Sequence, residues 1–157
     1  PLSIEDVIAG EILWGATRSV ISVTIMLPVL VAFGVVSLPF SLLAIPLALL
    51  AGLMFAGIAM CFTAITPSLD TLNYPSFLFI TPMMLFSGTF FPLSVLPLVI
   101  QYVALAIFPL THLVALMRMA TLPSAGALLF LNLIWIFAAT VIFCVISINL
   151  MRRRLIV

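Results

Sequence analysis

Long uncharged stretches of apolar residues, separated by short charged or turn-forming segments, make up most of the chain. A helix needs about 20 apolar residues to cross the roughly 30 Å hydrocarbon core of a bilayer. By that measure the pattern predicts four transmembrane helices, over residues 19–38, 42–65, 74–91 and 124–150. Only a few residues around Pro39 join the first two, so we expect these two helices to form an antiparallel hairpin.

The stretch between the last two predicted spans, residues 92–118, is apolar but interrupted by proline. Pro92, Pro97 and Pro109 each lack the amide hydrogen that the interior of a helix requires. The stretch is therefore either one kinked span or two short half-helices. Non-helical backbone at membrane depth is tolerated only inside protein or along a wet cavity, so a pair of half-helices suggests a translocation path.

The arginines favour the second alternative, because arginine concentrates on the cytoplasmic side of membrane proteins. Four spans place Arg18 and the triplet 152–154 on one side, whereas five spans would force the triplet outside. We therefore predict a re-entrant helical hairpin over 92–118 that enters from the outer side. The protein is expected to be multi-pass in the inner (plasma) membrane, with both ends cytoplasmic.

The amino-terminal segment, residues 3–18, is the most polar part of the chain. Ser3 and Asp6 have the spacing of a capping box, so a helix is expected to begin near Ile4. Isoleucine at every fourth position would give this helix an apolar stripe that lies on the membrane while its acids face water. The helix is either a surface helix that leads into the first span or a docking helix for a soluble partner. Its candidate partner-binding residues are Glu5, Asp6, Glu11 and Arg18.

Composition agrees with a membrane protein and excludes several classes. Hydrophobic residues make up 66% of the chain and charged residues 6%, with a mean hydropathy of +1.52, whereas soluble domains carry about 25% charged residues. A net charge of +1 provides no basic surface for nucleic acid. Cys61 and Cys144 lie inside apolar runs and form neither a disulfide framework nor a metal-ligand set, so we predict no metal on this chain.

Enzyme motifs are missing as well. The chain contains one histidine, no Gly-x-x-x-x-Gly-Lys-Ser/Thr loop for phosphate and no Gly-x-Ser-x-Gly elbow for a nucleophilic serine. We therefore predict that the protein is not an enzyme and has no ATPase site of its own.

Two segments, in this order, resemble the type 2 ATP-binding-cassette (ABC-2) export permeases. The first is PLSIEDVIAGE followed by WGATR, over residues 1–18, and the second combines SGTFFP at 87–92 with PLTH at 109–112 and Arg118. The RRRL end fits the same family. The subgroup that the chain resembles is the nodulation protein J type, which is associated with export of lipo-chitooligosaccharides. The resemblance covers essentially the whole chain.

The resemblance implies how much of a permease the chain represents, where two of its segments lie and which partner subunit it works with. Family members usually have six spans, so the chain corresponds to the carboxy-terminal two thirds of such a permease. Residues 3–18 would be the cytoplasmic coupling helix that contacts a nucleotide-binding subunit, and residues 92–118 the outer re-entrant helices. Two permease copies would work with two ATPase subunits, and the ATPase subunits would bind ATP and Mg.

The candidate translocation path or outer gate consists of Gly88, Phe90, Phe91, Pro92, His112 and Arg118. Ionisable residues at membrane depth suggest function. His112 is nevertheless as well explained by an interfacial position as by substrate binding. Arg118 either pairs with an anionic head group or extends to the outer interface. Gly88 is expected to act first as a hinge, and the phenylalanines either hold an acyl chain or pack.

The predicted fold is an all-α integral membrane protein. Its predicted function is that of the permease subunit of an ATP-driven exporter, moving an amphipathic lipid-linked or oligosaccharide-type substrate out of the cytoplasm in contact with membrane lipid. The alternatives are a drug or antibiotic efflux permease and a non-transporting scaffold or truncated remnant.

Overall fold

The structure, a computed structural model, describes residues 3–38, 40–68, 70–121 and 129–155. Every element in these ranges is helical: α1 (Ile4–Ala32), α2 (Ala44–Ile65), α3 (Asn73–Pro75), α4 (Thr81–Phe86), α5 (Leu98–Ile107), α6 (Pro109–Thr121) and α7 (Leu129–Leu155). Short 3-10 helices cover Phe40–Leu43, Asp70–Leu72 and Leu93–Val95, and a π-helical turn covers Ser76–Ile80. The all-α membrane architecture predicted from the sequence is confirmed.

Three described helices are long and apolar enough to cross a membrane: Ile4–Ala32, Ser41–Ile65 and Leu129–Arg154. Leu98–Ile107 and Pro109–Met119 meet at a bend of 94° and would add a fourth span if they formed one broken helix. A bend of this size fits a broken span and a re-entrant segment alike. The number of spans and the re-entrant hairpin therefore remain predictions.

The capping box at the start of α1 is confirmed. The Ser3 hydroxyl accepts a hydrogen bond from the Asp6 amide at 3.2 Å, and the Asp6 carboxylate accepts one from the Ser3 amide at 3.0 Å. These two side chains pair amide groups that a helix start otherwise leaves without partners. The helix consequently begins at Ile4, as predicted.

Replacing Ser3 with alanine removes the hydroxyl that accepts the Asp6 amide. We expect the first turn of α1 to lose about 1 kcal/mol of stability, a typical value for a lost N-cap. Hydrogen exchange at the amides of Asp6 and Val7, which bond to Ser3, should accelerate roughly fivefold. Ser3→Thr keeps the hydroxyl and is the matched control; equal acceleration in both variants would contradict the capping role.

The coupling segment and the first span, predicted as separate units at 3–18 and 19–38, form one continuous helix. After Pro1 the chain has no proline before Pro28, so no residue interrupts the hydrogen-bond ladder at position 18. Arg18 therefore lies roughly 21 Å along the helix from Ile4. The expected membrane-surface stripe also differs, because Ile8 and Ile12 are buried within the protein, at 1% and 5% exposure.

The predicted antiparallel hairpin is present as the pair α1 and α2. Ser19 donates from its hydroxyl to the Ala48 carbonyl at 2.7 Å, and a Cβ on Gly52 would lie 2.7 Å from the Cα of Ala16. Such close approach requires small residues at the helix interface. The first helix ends at Ala32 rather than near residue 38, and the turn follows through Gly34, whose φ of +68° is unfavourable for other residues.

The last helix, α7, packs beside α2 in the parallel direction. The Cys61 thiol lies 3.7 Å from the Phe143 carbonyl, and a Cβ on Gly57 would lie 3.3 Å from the backbone of Phe143 and Cys144. Both cysteines are therefore packing residues between these helices. The main hydrophobic cluster lies between α2, α6 and α7 and comprises Met54, Ile58, Leu116, Ile136 and Ala139. The part of the predicted last span over residues 124–128 lies outside the described residues, and α7 continues beyond residue 150 through the arginines.

The predicted third span, 74–91, is shorter and less regular than expected. Its helical part covers residues 73–86 and contains the π-helical turn between Pro75 and Pro82. These two prolines cannot donate to the preceding turn, which weakens a regular α-helix there. The chain then turns at Gly88, which has a φ of +80°. About 14 helical residues extend only about 21 Å, less than a typical hydrocarbon core.

The two ends of the bundle differ in character. Glu5 forms an ion pair with Arg152 at 3.4 Å, and Arg154 donates to the carbonyl of Thr63. The start of α1 and the ends of α2 and α7 thus meet at one end, here called the charged end and defined by residues 3–11 and 152–154. The opposite end, here called the turn end, contains residues 33–43, the turn that begins at Gly88 and the end of α6 at Met117 and Arg118.

Candidate functional site

The bend between α5 and α6 is built around Pro109. Because proline has no amide hydrogen, the Leu105 carbonyl one turn earlier cannot receive its usual helical hydrogen bond. The Nε2 atom of His112 lies 2.9 Å from this carbonyl oxygen and supplies the donor. Thr111 also donates from its hydroxyl to the Ala104 carbonyl at 3.1 Å. Side chains from the first turn of α6 thus complete the end of α5 and hold the 94° bend.

His112 is also joined to α7. The side-chain amide of Asn132 lies 2.7 Å from the Nδ1 atom of His112, and the His112 ring stacks on Trp135 with ring centroids 4.3 Å apart. With the ring proton on Nε2, Nδ1 is the acceptor, and the amide donates to it from its NH₂ group. Only 8% of the His112 surface is exposed, and both ring nitrogens have protein partners. This environment is that of a residue connecting three helices. Substrate binding by His112 remains a prediction that would require one of these bonds to open.

Asn132 and Trp135 are site residues that the sequence analysis missed. Asn132 is 9% exposed near the start of an apolar helix, and a buried amide in such a helix commonly makes an interhelical hydrogen bond. That signal was present in the sequence. Its partner was not, because the contact with His112 depends on how α6 and α7 are rotated against each other.

Gly88 and Arg118, two of the predicted path residues, contact each other. The Arg118 guanidinium donates to the carbonyl of Gly88, the residue of positive φ at the turn after α4. Both residues line a cavity of about 250 Å³ together with Ser87, Thr111 and four other residues. The Ser87 and Thr111 hydroxyls are buried and donate to the Met83 and Ala104 carbonyls, so Arg118 is the charged group at the cavity wall.

Phe90, Phe91 and Pro92 follow directly in the turn after Gly88. The two phenylalanines are 61% and 59% exposed, and Pro92 precedes the 3-10 helix Leu93–Val95. None of the three is among the residues lining the cavity of Gly88 and Arg118. They lie at the turn end and are exposed on the surface of the described protein. Binding a substrate between these residues and another surface would require a second surface that faces them.

The four candidate partner-binding residues have different environments in the structure. Glu5 pairs with Arg152, and the Asp6 carboxylate caps its own helix. Glu11 is exposed and makes neither a hydrogen bond nor an ion pair with any described residue. Arg18 is exposed but lies farther along α1. Glu11 is therefore the acid at the charged end whose carboxylate is available to a partner.

Within the described ranges, no group of three or more His, Cys, Asp or Glu residues could hold a metal ion. Arg118 and His112 bind instead to the backbone carbonyls of Gly88 and Leu105, and His112 also binds the side-chain amide of Asn132. What this arrangement offers a ligand is hydrogen bonding and charge at one end of an otherwise apolar bundle.

Comparisons with known proteins agree with the architecture. A model of the family described as ABC-2 type transporter matches residues 1–122. The protein named Nodulation protein J of Sinorhizobium fredii (strain NBRC 101917 / NGR234) is 36% identical over 156 residues, which cover 98% of this chain and 58% of that relative. Nodulation protein J of Rhizobium meliloti (strain 1021) is 34% identical over 154 residues, with the same two coverages.

No solved structure matches the chain significantly. The chain spans 58% of the length of each of these two relatives. The resemblance noted in the sequence is confirmed by the family match, which covers well over half of the chain. The protein therefore belongs to the ABC-2 type transporter family.

Proposed function

We propose that this protein is the permease subunit of an ATP-driven exporter that moves an amphipathic lipid-linked or oligosaccharide-type substrate out of the cytoplasm. ATP and Mg would be bound by a separate ATPase subunit, and two permease copies would form the transporter in the inner membrane. The observation that carries the proposal is the separation of an acidic, arginine-rich charged end from a turn end with a cavity lined by Arg118, next to the broken pair of helices α5 and α6.

The charged end is the proposed docking site for the ATPase subunit. Glu11 has an unpaired carboxylate there, and α1 continues without a break from this region to Ala32. A continuous helix transmits a displacement along its axis better than two helices joined by a loop. Because α1 contacts α2 closely at Gly52, movement at the charged end would displace both helices together.

The turn end is the proposed outer gate. The bond between Arg118 and the Gly88 carbonyl connects α6 to the turn after α4, and His112 connects α5, α6 and α7. Opening this end would require these contacts to break or shift together. The head group of an amphipathic substrate could compensate by binding Arg118, while its apolar part remains among the apolar helices.

Reversing the charge of Glu11 tests docking. Docking through Glu11 implies a basic group opposite it on the ATPase subunit. Glu11→Arg would place two positive charges at that contact, which is strongly unfavourable. This variant is therefore expected to lower both co-purification of the ATPase subunit and substrate-stimulated ATPase activity by roughly tenfold or more. Glu11 is exposed and without a described partner, so thermal stability of the permease should not change. Glu11→Gln, which keeps the shape and removes the charge, should give an intermediate loss.

Unchanged ATPase coupling in Glu11→Arg would refute docking through this residue. Recovery of the wild-type protein without any ATPase subunit, in a detergent that preserves other ABC complexes, would favour a non-transporting scaffold instead. Substrate class is tested separately in proteoliposomes that contain the complete complex: a lipid-linked oligosaccharide should stimulate ATP hydrolysis more than an apolar drug of similar size.

A further inference from the structure

Arg18 lies at an unusual depth for a charged residue. It is the midpoint of α1 (Ile4–Ala32), a helix long and apolar enough to cross a membrane. The helix continues for about 21 Å on either side of this residue, whereas a hydrocarbon core of about 30 Å extends only about 15 Å from its centre. A membrane crossed by the whole of α1 therefore has Arg18 near its middle.

The neighbouring helix α2 places this level well inside the apolar part of the bundle. A Cβ on Gly52 would lie 2.7 Å from the Cα of Ala16, so the middle of α2 lies beside the middle of α1. From Gly52, α2 continues toward the charged end without a charged residue as far as Ile65, which is 68% exposed. Apolar surface thus extends beyond the level of Arg18 toward the charged end.

The exposed side of α7 agrees with this depth. A Cβ on Gly57 would lie 3.3 Å from the backbone of Phe143 and Cys144, which relates the levels of α2 and α7. Because Gly57 is closer to the charged end than Gly52, this part of α7 lies between Arg18 and the charged end. Its exposed side chains are large and apolar: Val141, Ile142, Val145 and Ile146. They form a surface that suits lipid.

Arg18 has no partner in the described part of the chain. Its side chain is exposed, and its guanidinium makes neither a hydrogen bond nor an ion pair with any described residue. A charge in hydrocarbon is so unfavourable that arginine at membrane depth normally faces protein or a water-filled cavity. A long side chain escapes to the interface only from near a helix end, and Arg18 is at the midpoint of its helix.

Other polar residues lie on the same side of α1 as Arg18. Glu11 precedes it by seven positions, which is close to two helical turns, and Ser22 follows it by about one turn. Both are exposed. This side, here called the polar side of α1 and defined by Glu11, Arg18 and Ser22, carries an acid, a base and a hydroxyl. The exposed side of α7 is apolar, so the two helices suit different surroundings.

The same helix of a second copy is a poor partner for the polar side of α1. In a two-fold assembly around the membrane normal, equivalent residues lie at the same depth. Direct packing of two such helices would bring the two copies of Arg18 together, and like charges in contact are strongly unfavourable. A water-filled space along this side of α1 avoids that contact and hydrates the guanidinium.

We propose that the polar side of α1 borders a water-filled cavity open toward the charged end, and that Arg18 binds the anionic head group of an amphipathic ligand there. The planar guanidinium can bind a phosphate or sulfate through two parallel hydrogen bonds. The inference rests on the proposed function, because it identifies where the head group of an exported amphiphile passes. It gives α1 two roles, with docking at Glu11 and ligand binding deeper at Arg18.

Thiol labelling of the intact complex in membranes tests the cavity. Ser22→Cys is combined with Cys61→Ala and Cys144→Ala, and the probe is a charged, membrane-impermeant methanethiosulfonate. The matched control is Ile134→Cys, at a similar depth on α7, where the side chain is 63% exposed. Ser22→Cys should react roughly tenfold faster or more, because the reactive thiolate is unfavourable in hydrocarbon. Ile25→Cys, exposed on the same side of α1, is a second test position and should also react.

Protection from the reagent tests the ligand. Dodecyl phosphate, below the concentration that dissolves the membrane, should slow the reaction of Ser22→Cys roughly threefold or more, because Arg18 lies one turn away. Dodecyl maltoside has the same chain without a charge and should protect much less, as should inorganic phosphate, which lacks the chain. Adding Arg18→Gln should abolish protection by dodecyl phosphate, whereas Arg18→Lys keeps the charge and should retain part of it.

Several results would overturn the inference. Absence of reaction at both Ser22→Cys and Ile25→Cys, or an equally fast reaction at Ile134→Cys, would refute the cavity. Unchanged protection in Arg18→Gln would refute binding by Arg18, and equal protection by inorganic phosphate would refute an amphipathic ligand. Neither readout involves ATP hydrolysis or transport, so the inference can fail while the proposed export function stands, and the reverse.

Discussion

Replacing Gly52 with alanine is expected to force α1 and α2 apart and to destabilise the protein by about 2–3 kcal/mol, as overpacking of a tight interface does. The added Cβ would lie 2.7 Å from the Cα of Ala16, which is backbone and cannot rotate away. It would also meet the Ser19 hydroxyl and disturb its bond to Ala48. The measurement is the thermal unfolding midpoint in detergent together with transport activity.

Gly10→Ala is the matched control for this substitution. Gly10 lies in α1, but a Cβ there has no heavy atom within 4 Å. Alanine is a better helix former than glycine, so this variant should gain up to about 1 kcal/mol. A fall in stability for both variants, or for neither, would contradict the role assigned to close contact at Gly52. Because α1 and α2 are proposed to move together, Gly52→Ala should also lower the coupling of ATP hydrolysis to transport.

Replacing His112 with alanine should cost about 2–3 kcal/mol, because it removes two hydrogen bonds and a ring contact inside the protein. The Leu105 carbonyl would lose its donor, and the Asn132 amide would lose the partner 2.7 Å away. The bend between α5 and α6 should loosen. We expect a lower unfolding midpoint and faster proteolysis near residues 105–112.

A double-mutant cycle separates this structural role from substrate binding. Asn132→Leu should destabilise less than His112→Ala, because the bond to Leu105 remains. The two substitutions should be non-additive by about 1 kcal/mol, as contacting residues usually are. Full additivity would show that the contact contributes nothing. Wild-type stability of His112→Ala, together with lost substrate response, would favour substrate binding over the structural role.

Local chemistry was enough to predict where several helices begin. Ser3 and Asp6 form the capping box that their spacing indicates, and Pro97 and Pro109 lie at the starts of α5 and α6. Each of these signals acts within one helical turn, so no knowledge of distant residues is needed. The breaks in the stretch 92–118 were predictable for the same reason.

The boundaries of the predicted spans were less accurate. Hydropathy suggested a division after Arg18, yet nothing in the local sequence interrupts the helix there, and α1 continues through it. The segment 74–91 is apolar enough for a span, but Pro75, Pro82 and Gly88 leave a shorter and irregular helix. The length of an apolar segment indicates whether it can lie within a membrane, whereas backbone hydrogen bonding decides where its helix ends.

The sequence by itself determined that this is an all-helical membrane protein with a polar amino-terminal helix and a proline-broken segment, because composition and local hydrogen bonding decide those features. Only the tertiary structure decided that Glu5 meets Arg152, that Gly88 meets Arg118 and that His112 meets Asn132. It also left Glu11 free for a partner. These outcomes depend on the rotation and register of packed helices, which arise from the summed contacts of residues far apart in the chain and leave no local pattern.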